Sequence, residues 1–137
     1  MLSNLVYISN RKPNCSQKEI DQILEASARN NKELDITGVL LYSEAKFVQY
    51  LEGEYNVIMD LYDKIKKDDR HNNAVLISNS VVKERAFPSW QMGEKIIDLK
   101  SIEYGSAISP EDKKEFQKIL SGEESNRAVP IIKKLFY

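Results

Sequence analysis

The stretch that most limits how this chain can fold runs through residues 36–53. Apolar and β-branched residues fill both of its halves, and the polar residues 43–46 (Ser-Glu-Ala-Lys) separate them. Two such halves around a short polar break are typical of antiparallel strands joined by a tight turn. We therefore expect a β-hairpin near the middle of the chain, against which the other elements pack.

The second half of this hairpin places an amide between large apolar side chains. Because successive side chains of a strand point to opposite faces, Phe47, Gln49 and Leu51 share one face. A buried amide that makes no hydrogen bond costs about 1–3 kcal/mol. Gln49 therefore has a polar partner on a neighbouring element, or it lies on an exposed face.

Size and composition restrict the class of protein further. A chain of 137 residues suits one domain with two or three layers of secondary structure. Its formal net charge is −1 and its charges are interleaved, which argues against a nucleic-acid-binding surface. Cys15 is the only cysteine, so an internal disulfide and a multi-cysteine metal site are excluded. Without a signal peptide or an apolar run of about 20 residues, we expect a cytoplasmic protein with no membrane span.

Strand and helix signals before and after the hairpin complete the N-terminal part of the fold. Residues 5–8 form a strand that is apolar on both faces, which is typical of the centre of a sheet. Ser16 and Glu19 form a capping box that begins a helix at about residues 17–31. A second amphipathic helix follows from about residue 55 and ends in a charged run.

The remaining elements point to an α+β fold of the ferredoxin-like type. Residues 74–77 are expected to form a fourth strand, and residues 90–93 a short edge strand. The order βαββαβ, with an additional edge strand, places the first and third strands side by side at the centre of the sheet. If both helices cover one face, Tyr7 and Gln49 become neighbours on that face.

Two C-terminal segments are expected to cover the opposite face of the sheet. Residues 110–120 begin with a proline after Ser109, which is typical of a first helical turn. Residues 127–136 form a second short helix that begins near Pro130, because proline is not tolerated in a helix interior.

Six motifs in a fixed order then match one protein family. They are Leu-Val-Tyr-Ile-Ser at 5–9, Arg-Asn-Asn at 29–31, Asp-Ile-Thr-Gly-Val-Leu-Leu-Tyr at 35–42, Phe-Val-Gln-Tyr-Leu-Glu-Gly at 47–53, Asp-Asp-Arg-His at 68–71 and Phe-Pro-Ser-Trp-Gln-Met-Gly at 87–93. Through them the chain resembles the BLUF domains, the blue-light sensors that use flavin. The resemblance covers residues 1–95 as a flavin-binding domain and leaves residues 96–137 as a helical extension packed on the sheet.

The resemblance implies a non-covalently bound FAD whose ring slides between the two helices over the central strands. It assigns Tyr7 as the electron donor and Gln49 as the bridge between that tyrosine and the flavin. Asn31 corresponds to the residue that binds the polar edge of the ring, with Asn30 beside it. A Rossmann site would need a Gly-rich turn after the first strand, and the sequence has none there.

Further residues correspond to family positions around the ring and on the signalling path. The resemblance places Ile23 and Ile65 as apolar residues that flank the ring. It places polar cofactor contacts at Lys64, Asp68, Arg70 and His71. Trp90 and Met92 lie two residues apart on the predicted edge strand and correspond to the signal relay; the sequence favours neither of them as the one that faces inward.

Three functions compete at this point. The first is a light-driven switch without enzymatic turnover, in which Tyr7 and Gln49 change their hydrogen bonds. The second is a light-insensitive ferredoxin-like module that binds other proteins. The third is an acylphosphatase-like hydrolase with Arg11 as its anion ligand, which is disfavoured because the glycine-rich cradle is missing.

The output of the sensor is expected to be a protein contact. The sequence ends 44 residues after Gly93, which suffices for two helices and not for a cyclase, a phosphodiesterase or a DNA-binding domain. We therefore expect an unidentified downstream protein, no direct nucleic-acid contact and no metal site. The apolar C-terminal residues also favour self-association into a dimer or larger oligomer.

Overall fold

The elements follow the predicted ferredoxin-like order, with two helices added at the C-terminus. A computed structural model contains β1 (Leu2–Arg11), α1 (Gln17–Leu34), β2 (Thr37–Tyr42), β3 (Lys46–Glu54), α2 (Tyr55–Lys66), β4 (His71–Val81), β5 (Gly93–Ile96), α3 (Pro110–Leu120) and α4 (Ala128–Phe136). The structure describes residues 1–68, 71–88, 93–96 and 109–136.

The five strands form one sheet in the order β4-β1-β3-β2-β5. The first four strands are antiparallel to their neighbours, and β5 runs parallel to β2 at the edge. The sequence correctly placed β1 and β3 side by side at the centre. Only Gly93 of the predicted edge strand falls in β5, and residues 89–92 lie outside the described residues.

Strand β4 is longer than the predicted residues 74–77. It spans 11 residues, and its pairs with β1 extend from Ser3–Val81 to Arg11–His71. Asn72, Asn73 and the serines after Ile77 interrupt its apolar pattern. Backbone hydrogen bonds to a buried central strand hold these polar residues in the strand, and no local pattern shows such pairing.

Side chains cap the two helices that follow β1 and β3. The hydroxyl of Ser16 accepts a hydrogen bond from the Glu19 N–H at 3.3 Å, as the capping box predicts. The Glu54 carboxylate accepts from the N–H groups of Asn56 and Val57 at the start of α2. Helix α1 continues one turn beyond the predicted residue 31 and ends at Asp35, whose φ of 55° is left-handed.

Helices α1 and α2 cover one face of the sheet, and α3 and α4 cover the other, as the sequence predicted. On the first face the core is divided into two clusters. Helix α2 packs on Leu5, Tyr7 and Leu51, while α1 packs on Leu40 and Phe47. The opposite face carries one continuous core, which joins strands β1, β2, β3 and β4 to both C-terminal helices.

Candidate functional site

A cleft separates the two core clusters between α1 and α2. Its volume is about 240 Å³, and its floor is made by side chains of the three inner strands. The lining residues are Tyr7, Leu40, Phe47 and Gln49 from the strands, Ile23, Ala26, Ser27, Asn30 and Asn31 from α1, and Leu61, Lys64, Ile65 and Asp68 from α2 and the residues after it. All predicted cofactor contacts that the structure describes with their side chains therefore meet in one place.

The floor of the cleft contains the predicted polar pair. Tyr7 and Gln49 are directly opposed in the β1–β3 register, and the Tyr7 hydroxyl donates a hydrogen bond to Gln49 Oε1. Both side chains are buried, with 2% and 5% of their surfaces exposed. The phenol is thus the partner that the sequence required for the amide on β3.

Burial keeps the Tyr7 phenol protonated. Desolvation raises the pKa of Tyr7 far above its usual value of 10, and the neighbouring Tyr62 and Asp68 raise it further. A neutral phenol donates its one hydrogen, which directs the Gln49 oxygen towards β1. The carboxamide is therefore oriented by a group that holds its proton throughout the physiological pH range.

One end of the cleft is polar because α1 ends there. Asn31 is buried, and its carbonyl accepts a hydrogen bond from the Ile36 N–H at 2.8 Å as the chain leaves the helix. Asn30 precedes it and is exposed, yet both residues line the cleft. The left-handed turn at Asp35 thus fixes where the two amides sit relative to the floor.

The side walls of the cleft are apolar. Ile23 on α1 and Ile65 on α2 both line it, and each is half-buried. Lys64 and Asp68 place opposite charges on the α2 side. A flat aromatic ring with polar edge atoms matches this combination of apolar walls, a polar end and a hydrogen-bonding floor. The residues present therefore fit a flavin ring.

Part of the predicted site lies outside the described residues. Arg70 is one such residue, and so are Trp90 and Met92. His71 is the first residue of β4, but its side chain also lies outside the description. The roles assigned to these four residues rest on the resemblance alone.

Sequence reasoning missed several side chains that shape the cleft. Ala26 and Leu61 line it, and Tyr62 packs behind Tyr7 with ring centroids 5.4 Å apart. Ala26 follows Ile23 by three residues, so the helical period already placed it on the same face. Its small size is what leaves space between the helices, and a small residue carries little signal in a sequence.

Arg11 does not have the surroundings of an anion ligand. Its guanidinium donates to the Cys15 carbonyl at 2.7 and 3.0 Å and to the Ser43 carbonyl at 2.9 Å. The side chain therefore fastens the loop after β1 to the turn of the hairpin. This geometry argues against the hydrolase hypothesis.

Comparisons with known proteins agree with the geometry. A bacterial light-regulated adenylyl cyclase has a TM-score of 0.73 and 37% identity, and the match covers 95% of this chain and 36% of that one. BlrB, a BLUF protein in its dark state, has a TM-score of 0.78 and 27% identity over 98% of this chain and 94% of its own. The beta subunit of the photoactivated adenylate cyclase of Euglena longa is 39% identical over 88 residues.

These relatives differ in how much of their length is shared. The match to the Euglena longa subunit covers 64% of this chain but only 10% of that protein. The model of the family BLUF, described as sensors of blue light using FAD, matches residues 2–93. The match favours the photoreceptor over the light-insensitive module. The chain belongs to the BLUF family, the sensors of blue light that use FAD.

Proposed function

We propose that Tyr7 and Gln49 form the light-operated switch of this sensor, with the FAD ring held between α1 and α2. The observation that carries this proposal is the buried Tyr7–Gln49 hydrogen bond on the floor of a cleft with apolar side walls and a polar end. Both side chains line the cleft, so a ring bound there would lie beside them and could share their hydrogen bonds.

Different residues of the cleft bind different parts of the cofactor in this proposal. Ile23 and Ile65 would hold the ring by apolar contact, while Asn30 and Asn31 would hydrogen-bond to its polar atoms. Two further polar side chains, Lys64 and Asp68, line the α2 side and bind the remaining polar atoms of the cofactor. Arg70 and His71 complete these polar contacts in the proposal.

The excited flavin supplies a strong oxidant, and the protein supplies the electron donor and the path for its proton. Tyr7 is the donor, since its phenol is neutral and forms part of the floor of the cleft. When Tyr7 loses an electron its hydroxyl becomes strongly acidic, so the proton leaves along the hydrogen bond to Gln49 Oε1. Gln49 is thus the first group to respond to the loss of the electron.

Gln49 is suited to a switch because its two ends differ. The carboxamide accepts at the oxygen and donates at the nitrogen, so its rotation or tautomerisation exchanges a donor for an acceptor without any movement of β3. A changed hydrogen-bond pattern around the ring shifts its absorption to the red. The chemistry returns to its starting point in the dark, and we propose that this chain performs no enzymatic turnover.

The signal then leaves the domain through protein contacts. In the proposal, Trp90 and Met92 carry it from Gln49 towards the edge of the sheet. The relatives include proteins named as cyclases and an antirepressor from Escherichia coli, so domains of this family are found with different outputs. For this chain we propose an unidentified downstream protein and self-association into a dimer or larger oligomer. A single cysteine and no disulfide suit the cytoplasm.

An absorbance spectrum before and after blue light tests the switch. The purified protein should be yellow, and illumination should give a red-shifted spectrum that decays in the dark. Gln49→Leu should keep FAD and lose the shift, because leucine has the size of the amide without its hydrogen bonds. Gln17→Leu, at an exposed position of α1, is the matched control and should shift normally. A colourless protein that does not bind added FAD would refute the proposal.

A further inference from the structure

A second tyrosine packs against the proposed electron donor. Tyr62 on α2 contacts Tyr7 with the ring planes tilted by 40°, and only 5% of its surface is exposed. It does not line the cleft, so it contacts the donor and not the space for the cofactor. Tyr62 thus connects Tyr7 by a direct ring contact to α2.

A charge pair lies beside Tyr62. The Lys66 ammonium is 4.9 Å from the centroid of the Tyr62 ring, within the range of a cation–π contact. It also forms an ion pair with Asp63 at 3.2 Å, one turn back on the same helix. The ammonium therefore contacts the ring of Tyr62, the ring of Tyr62 contacts the ring of Tyr7, and an anion lies beside the ammonium.

The two charges act on the buried Tyr62 phenol with opposite signs. Burial raises the pKa of the Tyr62 phenol, the Lys66 ammonium lowers it, and the Asp63 carboxylate raises it. An electron leaves a phenol less readily when a cation is near and more readily when an anion is near, because the phenol becomes more positive as the electron departs. The same two charges must therefore act in opposite directions on electron donation.

We propose that the Lys66–Asp63 pair sets the rate at which Tyr7 donates its electron, with Tyr62 as the residue that positions the ammonium behind the donor. This inference rests on the proposed role of Tyr7. In the step concerned, Tyr7 would give up an electron to the bound cofactor in its excited state, and its hydroxyl proton would pass to Gln49 Oε1. Asp68 also acts on Tyr7, whose pKa it raises, and it lines the cleft together with Lys64; both residues are kept unchanged in the test below.

The lifetime of the flavin fluorescence measures this rate, because electron donation shortens the excited state. Lys66→Met leaves the carboxylate uncompensated and should shorten the lifetime by about twofold, whereas Asp63→Asn leaves the ammonium uncompensated and should lengthen it by a similar factor. The effect is modest because the pair is about half exposed and therefore screened, with side-chain exposures of 45% and 58%. Salt at about 1 M should reduce both changes.

The opposite signs separate a field effect from a structural one. Both substitutions break the same ion pair, so a merely structural role predicts changes in the same direction for both variants. Lys66→Arg keeps the charge and should leave the lifetime unchanged, as should Lys18→Met in the first turn of α1. Changes of equal sign, or no change in either variant, would overturn the inference.

The same lifetime measurements in Tyr7→Phe distinguish a failure of the present inference from a failure of the proposed switch. If Tyr7 is the donor, the lifetime lengthens strongly in Tyr7→Phe, and the substitutions at Lys66 and Asp63 then have no further effect. If Tyr7→Phe leaves the lifetime unchanged, the switch proposal itself is wrong. If Tyr7→Phe lengthens the lifetime and the charge variants match the wild type, only the present inference is wrong.

Discussion

The two faces of the sheet each bury a tyrosine that is hydrogen-bonded to a side chain of β3, but the surroundings of the two pairs differ. On the face of α1 and α2, Tyr7 donates to Gln49 beside an open cleft. On the opposite face, Tyr50 donates to Glu52 at 2.8 Å inside a continuous core. A hydrogen bond from a tyrosine to a side chain of β3 therefore lies beside an open cleft on one face and inside a filled core on the other.

Glu52 shows how tightly the second pair is held. Its fully buried carboxylate accepts from the N–H groups of Ala86 and Phe87, both at 2.7 Å, and from the Thr37 hydroxyl at 3.0 Å. Four donors thus converge on one carboxylate, and two of them belong to the backbone. Glu52 is held by four donors in a filled core, whereas Gln49 has an open cleft beside it in which its hydrogen bonds have space to change.

The largest difference in stability between the two faces should appear when the hydrogen-bond acceptor of each buried tyrosine is removed. Glu52→Ala should lower the free energy of unfolding by about 3–5 kcal/mol, because it leaves several buried donors without an acceptor. Gln49→Ala should cost about 1 kcal/mol or less, since the cleft offers space for water to reach the Tyr7 hydroxyl. Urea unfolding of both variants without FAD measures the difference. Equal losses would show that the two faces are held alike.

Enlarging a small residue should have different consequences in the two layers. Ala128, the first residue of α4, is fully buried in the core, so Ala128→Leu should lower the free energy of unfolding by about 1–3 kcal/mol through overpacking. Ala26→Leu fills the cleft instead, so it should abolish FAD binding with little loss of stability. The flavin content after purification and the urea midpoint report on the two effects. FAD binding by Ala26→Leu at the wild-type level would contradict the position assigned to the ring.

A smaller effect is expected in alkaline solution. Burial raises the pKa of both Tyr7 and Tyr50 well above the usual value of 10, so in the folded protein they stay neutral where the unfolded chain ionises. Their contribution to stability is complete below about pH 10 and decreases as the pH rises towards their folded-state pKa. For each of the two tyrosines, the free energy of unfolding should fall by about 1 kcal/mol between about pH 10 and 11.

Unfolding free energies measured across this range check the expectation. Tyr50→Phe should make the loss of stability with pH less steep, because it removes one of the two buried phenols. A slope that is the same in the wild type and in Tyr50→Phe would mean that the phenol ionises in the folded protein near its ordinary pKa.

The features that the sequence predicted well are local or periodic. The hairpin, the capping box at Ser16 and the proline at the start of α3 follow from short patterns, and the structure confirms them. The alternation along β3 also showed that Gln49 needs a partner and that Tyr7 was available. The roles of the site residues, in contrast, stay predictions.

The features that the sequence missed depend on distant contacts. Glu52 appeared only as part of a motif, because its donors Ala86 and Phe87 are more than 30 residues away in the chain. Tyr62 looked like an ordinary residue of an apolar helix face, and its contact with Tyr7 arises only when α2 packs on β1. Such contacts depend on how the side chains of different elements pack together, and local patterns in a single sequence do not reveal this packing.

The most direct measurement compares the two tyrosines in one light-minus-dark experiment. Tyr7→Phe and Tyr50→Phe each remove one buried hydroxyl and keep the ring, one beside the cleft and one in the opposite core. We expect Tyr7→Phe to bind FAD and show no red shift after blue light, and Tyr50→Phe to shift as the wild type does. A red shift of undiminished size in Tyr7→Phe would contradict the assignment of the switch to the cleft.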